Sequence, residues 1–441
     1  SLLKNAKLIG ATSFWANNYT GKNVIVGIVD TGVDSHHPDL SGKIIAAKSF
    51  VYEKYGYAFD DPNPEDNQGH GTFIATIIAG TGAGNKENGT GVAPDAKIIS
   101  AKVFPSGSAP LATAAGIIAA LDWLMYGPDE IPSTGDEPDI INLSIGGPTR
   151  KKDPIAYVIN KLSEMGIIVV CAAGNTGENG IYSMSITTPG TAEKAITVGG
   201  ADPISLKAYR YSSLGPTPNN ISKPDIAAPY VTSSAKIGGG YTVLSGTSIS
   251  TAFASGAFCL IIDYMKSKLQ LDKKKRAILA KILLLRTATN ISTADELWVG
   301  SGLINLTKAF NELKYLKQDQ IFFYIKPHKI PIGFIPQDAF FPYHKNTFRG
   351  ITYAINFTVF SCNSTIMSID MMGNITNVVS IEPKRITLTV GTNIIPIKIR
   401  MSEGSPVNAF FCGKILFIIH GLNITIKIPI SFYLKNLIKK I

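Results

Sequence analysis

Short runs of apolar, mostly β-branched residues alternate with longer helix-like stretches between about residues 20 and 265. The runs lie at 24–29, 97–103, 140–144, 167–173 and 195–199. Strands that are apolar on both faces and separated by helices predict a mostly parallel sheet that helices cover on both sides. In such sheets the functional residues gather at the carboxyl ends of the strands.

The hydrophobic period becomes two after about residue 320. Apolar residues alternate with polar ones from Ile351 to Val359 and again from Ile424 to Phe432, a pattern typical of antiparallel strands with one solvated face. A chain of 441 residues is also longer than one hydrophobic core usually serves. We therefore predict an α/β domain over residues 1–318 and a C-terminal antiparallel β-sandwich, fibronectin- or immunoglobulin-like, over residues 319–441.

Composition fits a globular protein with a large core, because 45% of the residues are hydrophobic and only 17% are charged. The longest apolar runs, 166–173 and 258–262, are far too short to span a bilayer. Neither terminus has the pattern of a signal peptide. This absence does not argue against secretion, because a secreted protein in its mature form has already lost its signal.

Positive charge is concentrated in the last part of the chain. Residues 310–441 hold 15 Lys and Arg against 6 Asp and Glu and so supply +9 of the net +10. This pattern indicates either a solvated basic face or attachment of the C-terminal domain to an acidic cell surface. We expect no nucleic-acid partner, because no segment resembles a recognition helix or an aromatic–basic platform.

The cellular location of the protein can be inferred from triplets that match the N-glycosylation pattern, Asn-X-Ser/Thr. Ten occur, at Asn18, Asn88, Asn142, Asn220, Asn290, Asn305, Asn356, Asn363, Asn374 and Asn423. A chain rich in Asn, Ser and Thr makes some of them by chance, yet five of the ten lie after residue 300 in the predicted strands and turns. We therefore expect an extracellular or cell-surface glycoprotein.

The four cysteines lack metal-ligand spacing. Cys171 and Cys259 lie in apolar segments, so we expect them to be buried small hydrophobes. Cys362 and Cys412 lie in the strand-rich tail and could form one disulfide in an extracellular protein.

Candidate catalytic residues lie at the end of one predicted strand and at the start of one predicted helix. Peptide hydrolysis by serine needs a hydroxyl nucleophile, a base, an acid that orients the base, and donors for the oxyanion. Asp30 ends the first apolar strand and precedes a glycine turn, which places a carboxylate at the edge of the sheet. His70 stands in Asn67-Gln-Gly-His70-Gly-Thr72, at the start of an apolar helix.

Two further motifs supply the remaining groups. Ser248, in Ser245-Gly-Thr-Ser248, opens another apolar helix, whose positive N-terminal end favours developing negative charge. Asn175 follows the run at 167–173, where its amide could bind an oxyanion together with the Ser248 N–H. Each motif alone occurs by chance in many proteins, whereas all four in this order are distinctive.

Together the motifs resemble those of the subtilases, the subtilisin-like serine protease family, whose order Asp, His, Ser is that of subtilisin. The resemblance runs from about Gly21 to Phe310 and also includes Gly91-Val-Ala-Pro94 and Lys223-Pro-Asp-Ile-Ala-Ala-Pro229. It implies that Asp30 orients the base, that His70 is the base and then the acid, that Ser248 is the nucleophile, and that Asn175 is the oxyanion donor.

The resemblance also implies the partners. The substrate would be a protein or peptide, the enzyme's own propeptide would be its inhibitor, and no cofactor would be required for the chemistry. On this interpretation the chain is a processed enzyme that begins close to Ser1.

Substrate would lie between two stretches of backbone. In the family, the chain that matches Ser144–Gly147 pairs with the substrate as an added strand, and Ser106-Gly107-Ser108 matches the opposite strand. The implied substrate-binding residues are Ser144, Ile145, Gly146, Gly147, Gly107, Ala173, Gly174 and Thr187, the last at the floor of the pocket for the residue before the scissile bond. Because no acid lines this pocket, we expect it to accept apolar residues over Lys or Arg.

The chain departs from the family pattern in several places. Ile249 and Ser250 replace the usual Met-Ala after the nucleophile, and Leu214 stands where an Arg is often seen. The calcium sites of the family are poorly reproduced, although Asp34, Asp39, Asp61 and the Gly- and Asn-rich loop 81–91 leave a structural calcium open. We expect this loop to be a surface turn and assign no metal ligand.

Two other functions remain open at this point. One is a catalytically silent subtilase fold that binds or assembles at a surface, which the retention of all four catalytic residues disfavours. The other is a ligase or transpeptidase that passes the acyl group to an amine instead of water, which the sequence does not separate from hydrolysis.

Overall fold

A computed structural model describes residues 1–107, 111–150, 152–178, 184–219, 221–291, 294, 296–316, 323–326, 330–331, 352–361, 364–373, 376, 379–401, 409–420 and 424–434. The α-helices are α1 Leu2–Leu8, α2 Thr12–Trp15, α3 His70–Ala79, α4 Lys86–Gly89, α5 Ala114–Tyr126, α6 Pro154–Glu164, α7 Thr247–Lys268, α8 Lys273–Arg286, α9 Glu296–Val299 and α10 Leu306–Lys314. Short 3-10 turns span Pro38–Leu40 and Glu53–Tyr55.

The strands of the first part are β1 Ile25–Asp30, β2 Ile44–Ser49, β3 Lys97–Lys102, β4 Ile140–Leu143, β5 Ile168–Ala172, β6 Ile196–Ala201, β7 Ile226–Pro229, β8 Val231–Ala235 and β9 Tyr241–Ser245. Those of the C-terminal part are β10 Phe323–Lys326, β11 Ile330–Pro331, β12 Thr352–Ser361, β13 Thr365–Gly373, β14 Val379–Glu382, β15 Arg385–Leu388, β16 Gly391–Met401, β17 Ala409–Ile419 and β18 Ile424–Leu434.

Seven strands form one parallel sheet in the order β2-β3-β1-β4-β5-β6-β7. Neighbouring residues of one strand face opposite cores: Ile98 packs with α3 and α7, and Ile99 packs with α5 and α6. Burial of both faces explains the continuous apolar runs. The predicted parallel sheet with helices on both sides is confirmed.

Helix α7 passes through the core behind β4 to β7 and carries the candidate nucleophile in its first turn. Among the described residues, α7 is the one helix that is long and apolar enough to cross a membrane by length and composition. Most of it is buried in this core. Helices α7 and α8 are separate elements, because the chain turns at residues 269–272 between them.

The C-terminal strands form two further sheets, in the orders β10-β12-β16-β14 and β11-β18-β17-β13-β15. All their pairs are antiparallel except the short β11–β18 pair. Phe357 of the first sheet and Phe417 of the second are buried with ring centroids 4.9 Å apart, so the two sheets pack as the predicted β-sandwich.

The boundary between residues 318 and 319 lies outside the described residues and stays a prediction. Cys171 and Cys259 are buried free thiols as expected, and burial raises the pKa of Cys171 to about 12. The predicted Cys362–Cys412 disulfide also stays a prediction, because Cys362 and the Cys412 side chain lie outside the described residues.

Candidate active site

Asp30 and His70 meet at the carboxyl edge of the parallel sheet. Asp30 is the last residue of β1, and His70 is the first residue of α3. The Asp30 Oδ1 atom lies 2.7 Å from His70 Nδ1 and also accepts a hydrogen bond from the Thr31 N–H at 2.8 Å. Asp30 is buried, whereas the His70 side chain is 34% exposed. The carboxylate can therefore orient an imidazole that remains open to the solvent side.

Charge around His70 decides its protonation. Burial alone would lower the pKa of His70, but the negative charge of Asp30, its hydrogen bond and the charge of Asp66 together raise that pKa above 6.5. An imidazole with a raised pKa holds a proton more tightly once it has taken one, which suits a base that must become an acid.

Ser248 occupies the first turn of α7, where the N-terminal end of the helix favours negative charge. Its Oγ donates a hydrogen bond to the Ser144 carbonyl at 2.9 Å, and the Ser144 hydroxyl donates in return to the Ser248 carbonyl at 2.9 Å. Among the described residues Ser248 has no hydrogen bond to His70. Proton transfer from Ser248 to His70 would first require this hydroxyl to rotate away from the Ser144 carbonyl.

Asn175 follows β5 and reaches the start of α7. Its Oδ1 accepts hydrogen bonds from the Thr247 N–H at 2.9 Å and from the Thr247 hydroxyl at 3.2 Å. The amide nitrogen has no partner among the described residues, so it remains available as a donor beside Ser248. A glycine precedes Thr247, because a side chain at Gly246 (φ +149°) would crowd this amide at 3.2 Å.

The predicted walls and floor of the substrate pocket lie together. The Thr187 hydroxyl would lie 2.8 Å from a Cβ atom placed on Gly146 and 2.6 Å from one placed on Gly174. It also donates to the Ala173 carbonyl at 3.3 Å. The Thr187 side chain thus fills the space between Gly146 and Gly174, the two glycines that form the walls of the predicted pocket.

The predicted substrate strand 144–147 is fixed on one side by Thr188. The Gly147 N–H donates to the Thr188 carbonyl at 2.8 Å, and the Thr188 N–H donates back at 3.2 Å. Ile145 is buried in the core with α5 and α6 and contributes only backbone to this surface, whereas Gly146 is exposed.

The opposite stretch is held by a polar cluster that sequence reasoning missed. Asp61 accepts from the Ser106 N–H at 3.0 Å and pairs with the buried Lys102 ammonium at 3.0 Å. Hydrogen bonds from Ser106 and Lys102 outweigh burial and lower the pKa of Asp61. Gly107 has a φ of +121° and open space around it, and Ser108 lies outside the described residues.

The carboxylates considered for calcium do not fit a shared ion. Asp39 accepts from the Gly84 N–H and the Tyr241 hydroxyl, and Asp61 is paired with Lys102. Asp34 accepts from the His36 and Gly238 N–H groups. Each is already satisfied by donors, and Asp39 holds the loop 81–91 directly. Asp34 does lie near Glu65 and the exposed His36, with ligand atoms within 4.8 Å of one another, but an exposed cluster of this kind is common without an ion.

Comparison with known proteins identifies the family to which the chain is similar. A family model described as the subtilase family matches residues 21–310. The chain is similar to the serine protease AprX of Bacillus subtilis (strain 168), at 35% identity over 55% of this chain and 58% of that protein, so it spans little more than half of that relative. It is 32% identical to subtilisin DY of Bacillus licheniformis over 68% of this chain and 96% of the relative. It is 30% identical to the major intracellular serine protease of Bacillus subtilis (strain 168) over 69% and 88%.

Proposed function

The chain belongs to the subtilase family, and from that premise we propose that it is a serine endopeptidase hydrolysing peptide bonds through an acyl-enzyme. Ser248 attacks the carbonyl carbon, His70 takes the Ser248 proton and later gives it to the leaving amine, and Asp30 holds His70 in orientation. The Asp30–His70 hydrogen bond of 2.7 Å, at the end of β1, is the observation that carries the proposal.

The oxyanion forms when Ser248 attacks. The Asn175 amide nitrogen and the Ser248 N–H are the donors that would stabilise it, and the N-terminal end of α7 adds a favourable field. Water then attacks the acyl-enzyme with His70 again as base. Because side chains and backbone supply every group in this sequence of steps, we propose that the chemistry needs no cofactor.

The substrate would be a protein or peptide whose backbone adds as a strand along residues 144–147 and opposite Gly107. The Thr187 side chain between Gly146 and Gly174 favours a small apolar residue before the scissile bond. A peptide-library digest with cuts mainly after Lys or Arg would contradict this specificity. We also propose that the enzyme's own propeptide, which would occupy the same groove, is its inhibitor.

We propose an extracellular or cell-surface location, with the basic C-terminal domain attached to an acidic surface.

Asn18 and Asn290 are exposed and can carry glycans. The triplet at Asn142 is not a glycan site, because Asn142 is buried in β4 and hydrogen-bonded to Ser144 and Ser255. Asn305 is also occupied, as the cap of α10. Mass spectrometry of the native protein before and after glycosidase treatment tests the location. A loss of mass on treatment would support an extracellular location, whereas an unglycosylated protein would count against it, and one of the relatives is itself named as intracellular.

The proposed reaction is tested with a defined peptide in the presence of a competing amine. Native protein should release hydrolysed fragments, and Ser248→Ala should release none. Mainly ligated product would instead indicate a ligase. A folded native protein that binds the peptide without turnover would indicate the silent binding function.

A further inference from the structure

The Asp66 carboxylate accepts five hydrogen bonds directly before the catalytic helix. Its Oδ1 accepts from the Gln68 N–H at 2.9 Å, the Gly69 N–H at 2.8 Å and the Thr31 hydroxyl at 2.9 Å. Its Oδ2 accepts from the N–H and the hydroxyl of Thr72 at 2.9 and 2.6 Å. Asp66 is only 9% exposed, so these bonds are largely shielded from water.

The hydrogen-bond partners of Asp66 include sequence neighbours of both Asp30 and His70. Thr31 follows Asp30, and its hydroxyl also accepts from the Gly71 N–H at 2.8 Å, directly after His70. Thr72 lies two residues after His70 in the first turn of α3. Asp66 and Thr31 therefore tie the end of β1 to the start of α3 through a closed set of hydrogen bonds.

Asp66 also replaces the missing cap of α3. The residue before the helix is Gly69, which has no side chain to cap the free N–H groups of the first turn. Asp66 accepts from Gly69 and Thr72, and Thr31 accepts from Gly71. A carboxylate at the positive end of a helix is electrostatically favourable, so the junction is stabilised by charge as well as by geometry.

The backbone is tightly packed where the end of β1 meets the start of α3. A Cβ atom on Gly71 would lie 2.0 Å from the Gly32 carbonyl oxygen, and one on Gly32 (φ +100°) would lie 2.5 Å from the Pro64 carbonyl oxygen. The two loops touch backbone to backbone, and a small shift of either one moves Asp30 relative to His70.

We propose that Asp66 is a positioning residue for catalysis, which acts through Thr31 and Thr72 to hold His70 against Asp30. This inference rests on the proposed peptidase function. It assigns a role to a carboxylate that touches neither the substrate nor the reacting atoms.

The first test is Asp66→Asn, which keeps the size of the side chain but removes its charge and turns one acceptor into a donor. We expect kcat to fall roughly tenfold to a hundredfold, the range that a misplaced catalytic group produces, while KM changes by less than about twofold. The acid limb of the pH–rate profile should also move to lower pH. Asp30 and Asp66 are the carboxylates that favour protonated His70, and this variant removes one of them.

The second test separates geometry from charge and remains valid if Asp66→Asn does not fold. Thr31→Val removes the linking hydroxyl with little change in shape, and Thr31→Ser keeps that hydroxyl. We expect Thr31→Val to lower kcat with an unmoved acid limb and Thr31→Ser to restore most of the loss. Native-like kcat in Thr31→Val would overturn the positioning role.

The matched control is Asp272→Asn. Asp272 caps α8 by accepting from the Lys275 N–H at 2.8 Å, and the first turn of α8 packs against Gly166 at the opposite, amino-end edge of the sheet. We expect neither kcat nor the acid limb to change. Unchanged kinetics in folded Asp66→Asn, with native protein active, would overturn this inference alone, whereas inactive native protein would overturn the proposed function itself.

Discussion

The Asn175 side-chain oxygen accepts a hydrogen bond from the Thr247 N–H at 2.9 Å, one residue before the candidate nucleophile. This bond fixes the orientation of the Asn175 amide. The oxygen faces the start of α7 as an acceptor, and the nitrogen remains available as a hydrogen-bond donor. The donor is thereby oriented before substrate arrives, which is what makes such groups effective at stabilising an oxyanion.

Removing this donor should slow turnover and spare substrate binding. We predict that Asn175→Ala lowers kcat roughly a hundredfold to a thousandfold, the magnitude known for an oxyanion donor in subtilisin, with little change in KM. Steady-state kinetics on a peptide substrate measures both constants. A fully active variant would show that the oxyanion is bound elsewhere.

The pH dependence of activity should reflect the Asp30–His70 pair. His70 must be neutral to accept the Ser248 proton, and its raised pKa means that activity falls with decreasing pH at a midpoint above 6.5. In Asp30→Asn the residual activity should show an acid limb at lower pH, because the charge that favours the imidazolium is gone. Profiles of kcat/KM against pH measure the two midpoints, and coincident limbs would exclude Asp30 as the partner of His70.

Thr187 should control the size of the residue accepted before the scissile bond. We predict that Thr187→Gly raises kcat/KM for substrates with an aromatic residue at that position by roughly tenfold relative to those with alanine, since the space between Gly146 and Gly174 opens. Thr187→Ser, which removes only a methyl group, should shift the preference less. Unaltered ratios in both variants would place the floor of the pocket elsewhere.

Lys281 should make stability depend on pH. Burial and the nearby Lys223 lower its pKa from 10.5 to about 7, and its Nζ donates a hydrogen bond to the Lys194 carbonyl at 2.8 Å. Between those two pH values the unfolded chain binds the proton that the folded chain has lost, so stability rises with pH, by at most about 1.4 kcal/mol per unit. We predict that this slope is smaller in Lys281→Met, measured by denaturant unfolding from pH 7 to 10. Equal slopes in variant and native protein would contradict it.

The sequence predicted those parts of the fold and site that depend on local pattern. Asp30, His70, Ser248 and Asn175 each stand at the end of a strand or the start of a helix, and such ends can be located from apolar runs and glycines. Strand β2 was missed because it lies at the edge of the sheet and alternates partly buried with exposed residues.

Features that depend on distant contacts were not predictable. The triplet at Asn142 matches a glycosylation pattern, but only the fold shows that the side chain is buried between Ser144 and Ser255. Asp66 stands four residues before His70 like many turn residues, and only the fold shows that the loop after β1 brings the Thr31 hydroxyl into hydrogen-bond contact with it. The hydrogen bond from Ser248 to Ser144 likewise depends on a side-chain rotation that no sequence pattern encodes.

The most direct test is labelling of the native protein with a fluorophosphonate probe, followed by mass spectrometry to locate the adduct. We predict a single adduct on Ser248 that disappears in Ser248→Ala and forms more slowly in His70→Ala. A folded native protein that stays unlabelled, or one labelled at a different serine, would contradict the assignment of Ser248 as the activated nucleophile.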